Sequence, residues 1–284
     1  MRGLKFGFIS ALYLFAAFAV QAQSNMDNVE IKATQLSERV YMLTGMGGNI
    51  GVYVGDDGVV MIDAQYKGLA DKISAAITEI SEQPIKTLVN THFHADHTDG
   101  NAAFARKGVN VVAHDNVRAR LAANSDFDAV GLPKMTFKQM HSVDTGDASI
   151  KLTHYPTGHT DGDIIVWFPN SNVIHAGDLF FVDRFPFVDL NAGGNVQGYI
   201  DNVRAVVQQL DADTQIIPGH GGLSNRDDWI RLVDMMEATR AEVMAMKEQG
   251  MTEDEAVESG LSEQWADWSW NFITEERWVR TLYK

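Results

Sequence analysis

Three imidazoles and a carboxylate fall within six consecutive positions in His92-Phe93-His94-Ala95-Asp96-His97. In extended backbone His92 and His94 project to the same side, so together they can hold one cation. Asp96 and His97, beyond a turn, can face a neighbouring one. Neutral imidazole and carboxylate are ligands that suit zinc or iron. A solitary histidine in a loop is usually polar surface. A cluster this dense is costly to bury unless an ion supplies the partners its groups need.

Three further positions have the form that completes such a cluster. His159 stands in Gly158-His159-Thr160-Asp161-Gly162-Asp163, Asp178 follows Gly177, and His220 stands in Pro218-Gly219-His220-Gly221-Gly222. Each is expected directly after a short apolar strand, beside a glycine that lets the backbone turn tightly. Cysteine is absent, which excludes disulfides, thiolate zinc sites and a cysteine nucleophile. Among the remaining histidines, His114, His141 and His154 read as ordinary strand and helix neighbours. His175, three residues before Asp178, is the one expected to support a ligand.

With the motif His92-x-His94-x-Asp96-His97 followed by His159, Asp178 and His220, the chain resembles the metallo-β-lactamase-fold superfamily across residues 36–222. The resemblance implies an α/β fold, a four-layer αβ/βα sandwich with the metals at one edge of its two sheets. It implies two zinc ions per chain, with iron or manganese as alternatives. One ion would be held by His92, His94 and His159, the other by Asp96, His97 and His220, with Asp178 bridging both and Asp63 supporting the metal loop. A bridging aspartate looks like the glyoxalase and lactonase branches, whereas the His-only β-lactamase branch lacks a ligand at that place.

The expected reaction is hydrolysis of an ester, lactone, thioester or amide in a small-molecule substrate. Two cations roughly 3.5–4 Å apart lower the pKa of a shared water and accept the developing oxyanion. Asp96 is the expected catalytic residue, orienting the attacking oxygen and passing a proton to the leaving group. Two other readings stand beside this one: a true β-lactamase, and an iron-dependent oxidoreductase of the same fold. A non-catalytic metal protein fits less well, since the ligand set is complete. Met46 to Gly48 and Phe180, Phe181, Phe185 and Phe187 are candidates to wall the cleft, and Phe93 to pack beneath the metals.

The elements that must position these residues follow from periodicity. Short β-prone runs at residues 29–35, 39–43, 50–54 and 59–63 are separated by turn signals, Asp57-Gly58 marking a hairpin. Residues 66–81 switch to helical spacing, with Leu69, Ile73, Ile77 and Ile80 on one stripe. Strands are expected at 86–90, 109–113, 149–155, 164–168, 173–175 and 215–217, and helices at 100–107, from His114 and at 196–210. Residues 124–140 read as irregular and 178–194 as a long loop. From Asn225, a plausible N-cap, residues 225–284 read as a helical extension. Gly250 stops the first helix, Thr252 and Glu255 form a capping box, and Trp265, Trp268, Trp270 and Trp278 read as packing.

Residues 1–22 have the layout of a secretory signal peptide. Arg2 and Lys5 precede an apolar run, and Val20-Gln21-Ala22 offers a small-residue cleavage site. Residues 23–284 are then a single domain, periplasmic or secreted. Losing Arg2 and Lys5 takes the formal net charge from −15 to −17. Such a surface repels nucleic-acid phosphates and anionic lipid. Nucleic acid is therefore not an expected partner, and neither is stable membrane insertion after cleavage; oligomeric state stays open.

Overall fold

The computed structural model describes residues 26–284. The expected leader and its cleavage site lie outside the described residues. Seven strands cross the first sheet in chain order: β1 (Lys32–Gln35), β2 (Val40–Thr44), β3 (Ile50–Gly55), β4 (Gly58–Ile62), β5 (Ile85–Val89), β6 (Asn110–His114) and β7 (Met135–Phe137). Pairing is antiparallel from β1 to β4 and parallel from β4 to β7. The hairpin of β3 and β4 turns on Asp56-Asp57, with Gly58 pairing opposite Gly55 at φ +138°. That backbone conformation is one that glycine adopts without strain.

The second sheet contains β8 (Met140–Asp144), β9 (Ser149–His154), β10 (Ile164–Phe168), β11 (Val173–Phe181), β12 (Gln215–His220) and β13 (Ser224–Asn225), in the order β13-β12-β11-β10-β9-β8. Alternation along the strands builds the layers. Val60 and Ile62 of β4 join Leu152, Val166 and Ile217 in a core between the sheets. Their neighbours Val59 and Met61 face outward, where they pack on Ile73 and Ile77 of helix α1 (Ala70–Ile80).

Three short helices follow on the same half: α2 (Ala95–Thr98), α3 (Asn101–Arg106) and α4 (Asp115–Ala123). The outer face of the second sheet is covered by α5 (Val196–Val207) and α6 (Arg226–Glu248), then by α7 (Glu253–Ser259) and α8 (Glu275–Tyr283). The result is helix, sheet, sheet, helix. Burying each Val, Leu or Ile side chain of these cores is worth about 1.5–3 kcal/mol, which outweighs the modest propensities of the individual strands.

Differences from expectation are local. The irregular stretch 124–140 contains β7 and the first residue of β8. Both are edge strands with exposed methionines, Met135 and Met140, so no apolar alternation marks them. β11 runs to Phe181 instead of stopping at His175, and every residue of it is buried. Its parallel register against β12 shifts between His175 and Gly177 and again between Gly177 and Phe181. Asp178 therefore sits inside an irregular strand, not in a loop after one. His220 likewise closes β12 instead of following it.

Candidate metal centre

The His-rich segment begins where β5 leaves the first sheet. Asn90 and Asn101 exchange side-chain amide hydrogen bonds at 3.0 and 2.8 Å, which ties the strand exit to α3. Asp63, at the end of β4, has φ 64°, a left-handed conformation that Asp tolerates better than most residues. Its carboxylate accepts from the Thr91 N–H (2.8 Å), from the Thr91 hydroxyl (2.7 Å) and from His97 Nδ1 (2.7 Å). His94 then N-caps α2, and that single turn carries Asp96 and His97 round to the far side of the cluster.

Two groups of potential ligand atoms result: His92, His94, His159 and Asp178, and beside them Asp96, His97 and His220, each group lying within 4.8 Å of itself. Asp178 spans the two. Its Oδ2 stands 3.7 Å from His92 Nε2 and 3.4 Å from His159 Nε2, while its Oδ1 stands 3.0 Å from His97 Nε2 and 3.5 Å from His220 Nε2. His94 Nδ1 lies 2.8 Å from His159 Nε2, and Asp96 Oδ2 lies 3.2 Å from His220 Nε2.

The outward ring nitrogens are fixed by the protein. His159 Nδ1 donates to the Phe187 carbonyl at 2.6 Å, His94 Nε2 to Asp189 at 3.1 Å, and His92 Nδ1 meets the Thr91 hydroxyl at 3.1 Å. Such contacts orient the inward nitrogens toward a cation.

Three inward atoms test whether the cluster fits metal ions. His92 Nε2, His97 Nε2 and Asp178 Oδ1 are buried and have no hydrogen-bond partner. Unpaired buried polar atoms of this kind are costly, and divalent cations at the centre of the two groups would satisfy them. Protonation divides the imidazoles, since burial opposes the charged form of His97 but Asp178, Asp96 and Asp63 hold it well up. Burial, with the nearby His97, pushes His92 well down; burial pushes His159 down to about 4. Both keep a lone pair for a cation. Burial opposes ionisation of Asp178, yet His220, His97, His92 and His159 together hold it well below the usual carboxylate range. Burial also opposes the charged form of His220, but Asp178 and Asp96 raise it to about 9. Two glycines make room: a Cβ at Gly48 would collide with the His97 ring, and one at Gly219 with Asp178 Oδ1.

All seven residues expected from the sequence are brought together. Asp63 touches His97 directly. The hydrogen bonds of His175 go to the backbone: it bonds the Asn49 carbonyl at 3.1 Å and accepts the Gly177 N–H at 3.1 Å, bracing the chain just before Asp178. The cluster opens into a cleft of about 440 Å³ lined by Gly47, Tyr66, His94, Asp96, Phe181, Phe187, His220, Trp270 and Phe272, among others.

Phe181 and Phe187 wall this cleft as expected. Phe180 and Phe185 do not: they are buried against Trp229 and Trp278. Met46 packs under the first sheet, leaving Gly47 at the rim. Phe93 packs beside His94, with ring centroids 4.4 Å apart. Trp270, expected only to pack, also lines the cleft. Asp189, Thr91, Tyr66 and Phe272 had no local signal; each gains its place from contacts distant in the chain.

The fold and the cluster together are those of a metal-dependent hydrolase. The chain belongs to the metallo-beta-lactamase superfamily, which it matches over residues 43–220. It is 25% identical over 240 residues to the type 2 metallo-beta-lactamase of Bacillus cereus, covering 77% of this chain and 90% of that one. It is also 25% identical over 189 residues to the alpha subunit of 2,4-dinitroanisole O-demethylase from Nocardioides sp. (strain JS1661), covering 66% of this chain and 56% of that one. Among solved structures, a metallo-beta-lactamase from Pontibacter korlensis superposes with a TM-score of 0.65 at 21% identity, over 73% of this chain and 99% of that chain. Among the described residues, no helix is long and apolar enough to cross a membrane.

Proposed function

We propose that the chain is exported and hydrolyses an ester, lactone, thioester or amide in a small molecule, using two divalent ions held at the His/Asp cluster. The observation that carries this reading is Asp178, whose two oxygens face opposite groups of imidazoles while its Oδ1 and the Nε2 atoms of His92 and His97 make no hydrogen bond. His92, His94 and His159 would hold one ion and Asp96, His97 and His220 the other, with Asp178 shared. The nitrogen-rich donor set favours zinc, and iron or manganese are the alternatives it accepts. When bound, such ions ionise water near neutral pH and stabilise negative charge on an acyl oxygen.

The chain's own groups do the rest. Asp96 is half-buried at the cleft floor, where its carboxylate can orient the attacking water and carry a proton to the leaving group. Phe181 and Phe187 exclude bulk water beside His220 and His94. Export rests on the basic start, apolar run and small-residue cleavage site of residues 1–22.

A second reading, true β-lactamase activity, is favoured by the coverage of the Bacillus cereus enzyme at 90% of its length. One experiment separates the readings. Protein purified from the periplasm is analysed for bound metal and assayed on a lactone, a thioester, an aryl ester and a carbapenem, with and without chelator. Two metal equivalents and chelator-sensitive turnover of the acyl substrates are expected. Turnover confined to the carbapenem would select the second reading, and iron with oxygen consumption would replace both.

A further inference from the structure

The cleft is walled on one side by a continuous run of aromatic rings. Phe187 lies 5.5 Å from the His94 ring and 5.6 Å from His159; Phe272 lies 5.3 Å from Phe187; Trp270 lies 5.6 Å from Phe272; Phe181 lies 6.3 Å from Trp270 and stacks 5.1 Å from His220. The belt thus runs from one metal-ligand group round to the other.

Half of it comes from outside the family match at residues 43–220, from the C-terminal extension. That extension is tied to the 182–189 loop: Trp270 Nε1 donates to the Phe185 carbonyl at 2.9 Å, and the Phe185 N–H to the Trp268 carbonyl at 2.8 Å. Phe272 is 46% exposed, so one part of its ring is open to solvent at the cleft wall.

Charge is distributed just as tellingly. Among the described residues, those lining the cleft include no Lys or Arg. The two arginines nearest the belt lie over its rings and are not among the residues that line the cleft. Arg277 lies over Phe187 at 4.9 Å and Phe272 at 4.3 Å and donates to the Phe272 carbonyl, while Arg184 lies over Trp270 at 5.2 Å and donates to the Val182 carbonyl. These cation–π contacts brace the rings. A carboxylate carried on a ring that lies against the belt, away from the ions, would therefore meet aromatic faces, with no Lys or Arg among the cleft-lining residues to pair it.

We propose that Phe187, Phe272, Trp270 and Phe181 form a subsite for an uncharged aromatic group next to the scissile bond, making the substrate a neutral aryl ester or aryl-substituted lactone. This rests on the hydrolytic reading above and narrows it. Phe272 is the specificity-determining residue: its exposed face is what the substrate ring covers.

Two measurements on the full-length mature protein test the assignment. First, kcat/KM is compared for phenyl acetate, ethyl acetate and 4-carboxyphenyl acetate, in the wild type and in Phe272→Ala. Covering one phenyl group with apolar surface warrants a phenyl-over-ethyl preference of about tenfold or more beyond the ratio for hydroxide-catalysed hydrolysis, falling about tenfold in the variant through KM. The ring carboxylate should cost about tenfold again.

Second, binding of 2-acetylnaphthalene, a neutral ketone with no bond to hydrolyse, is followed by tryptophan fluorescence, with 2-naphthoate as the charged counterpart. The neutral probe should bind more tightly, and about tenfold less tightly to Phe272→Ala. Hydrolysis without aryl preference, or equal binding of both probes, overturns the subsite and leaves the hydrolase reading standing. Neutral-probe binding that depends on Phe272, with no substrate of this set or of the lactone, thioester, aryl ester and carbapenem panel turned over, upholds the subsite and overturns hydrolysis.

Discussion

Asp178 sits where two sets of imidazoles converge, and the residues behind those imidazoles decide how well they hold their aim. Asp63 is the clearest case, because one buried carboxylate takes hydrogen bonds from His97 and from both the amide and hydroxyl of Thr91. Asp63→Ala leaves those donors unpaired, each at about 1–3 kcal/mol. Metal affinity should fall about 10–100-fold, read by competition with a chromophoric chelator; unchanged affinity would mean that His97 is oriented by other contacts. Asp96→Ala would remove a metal ligand together with the proton carrier, so it is assayed at full metal occupancy. Turnover should drop about 10²–10⁴-fold with a much smaller change in binding of the neutral ketone probe, and a retained turnover number would remove the proton-transfer role.

A third residue, Asp163, makes stability depend on pH. Burial pushes its carboxyl up to about 8 despite hydrogen bonds from the Thr160 hydroxyl and amide. The folded protein then keeps a proton that the unfolded chain loses near the ordinary Asp value of about 3.9. Its contribution is therefore fully present below that value and is lost as pH rises toward 8. Asp163→Asn should flatten that decline. Urea unfolding at several pH values would show a gap between variant and wild type that shifts in the variant's favour as pH rises; a gap independent of pH would contradict it.

Among the elements, α6 shows how local chemistry defines a boundary. Asn225 accepts from the N–H groups of Asp227 and Asp228, while Asp228 reaches back to the Asn225 N–H. With Trp229, Leu232, Val233 and Met236 buried on one face, the helix is secured by packing and only started by its cap. Asn225→Ala should therefore cost about 1 kcal/mol in urea unfolding and leave kcat within error. A loss several times larger would mean that the cap also holds β13. The strand β11 shows the opposite dependence. Its irregular register at Gly177 is what places Asp178 inside the sheet, between the two groups.

For the whole molecule, the metal cluster joins both sheets: Asp63, His92, His94, Asp96 and His97 come from the first half, and His159, Asp178 and His220 from the second. Ions bound there stabilise only the folded state. At 100-fold saturation the effect is about 2.7 kcal/mol per site. Chelation should therefore lower Tm by about 5 °C or more and abolish hydrolysis, both restored by zinc. A Tm indifferent to chelator and to added zinc would argue against ions tying the halves together.

Ligand types, their order and the glycines beside them were legible in the chain itself, because short motifs at strand ends need only a few neighbouring residues to be recognised. The stripe of α1, the hairpin marked by Asp57-Gly58, the Asn225 cap and the Thr252–Glu255 capping box were legible for the same reason, since their periodicity and hydrogen bonds are local, whereas the reciprocal bond from Asp228 was seen only in the structure. The edge strands β7 and β8, the placement of Asp178 within β11 and the bond from His94 to Asp189 were decided by tertiary structure. So was the entry of Trp270 and Phe272 into the cleft. Each depends on segments tens of residues apart being packed against one another, and no local pattern encodes which partner a half-exposed side chain will meet.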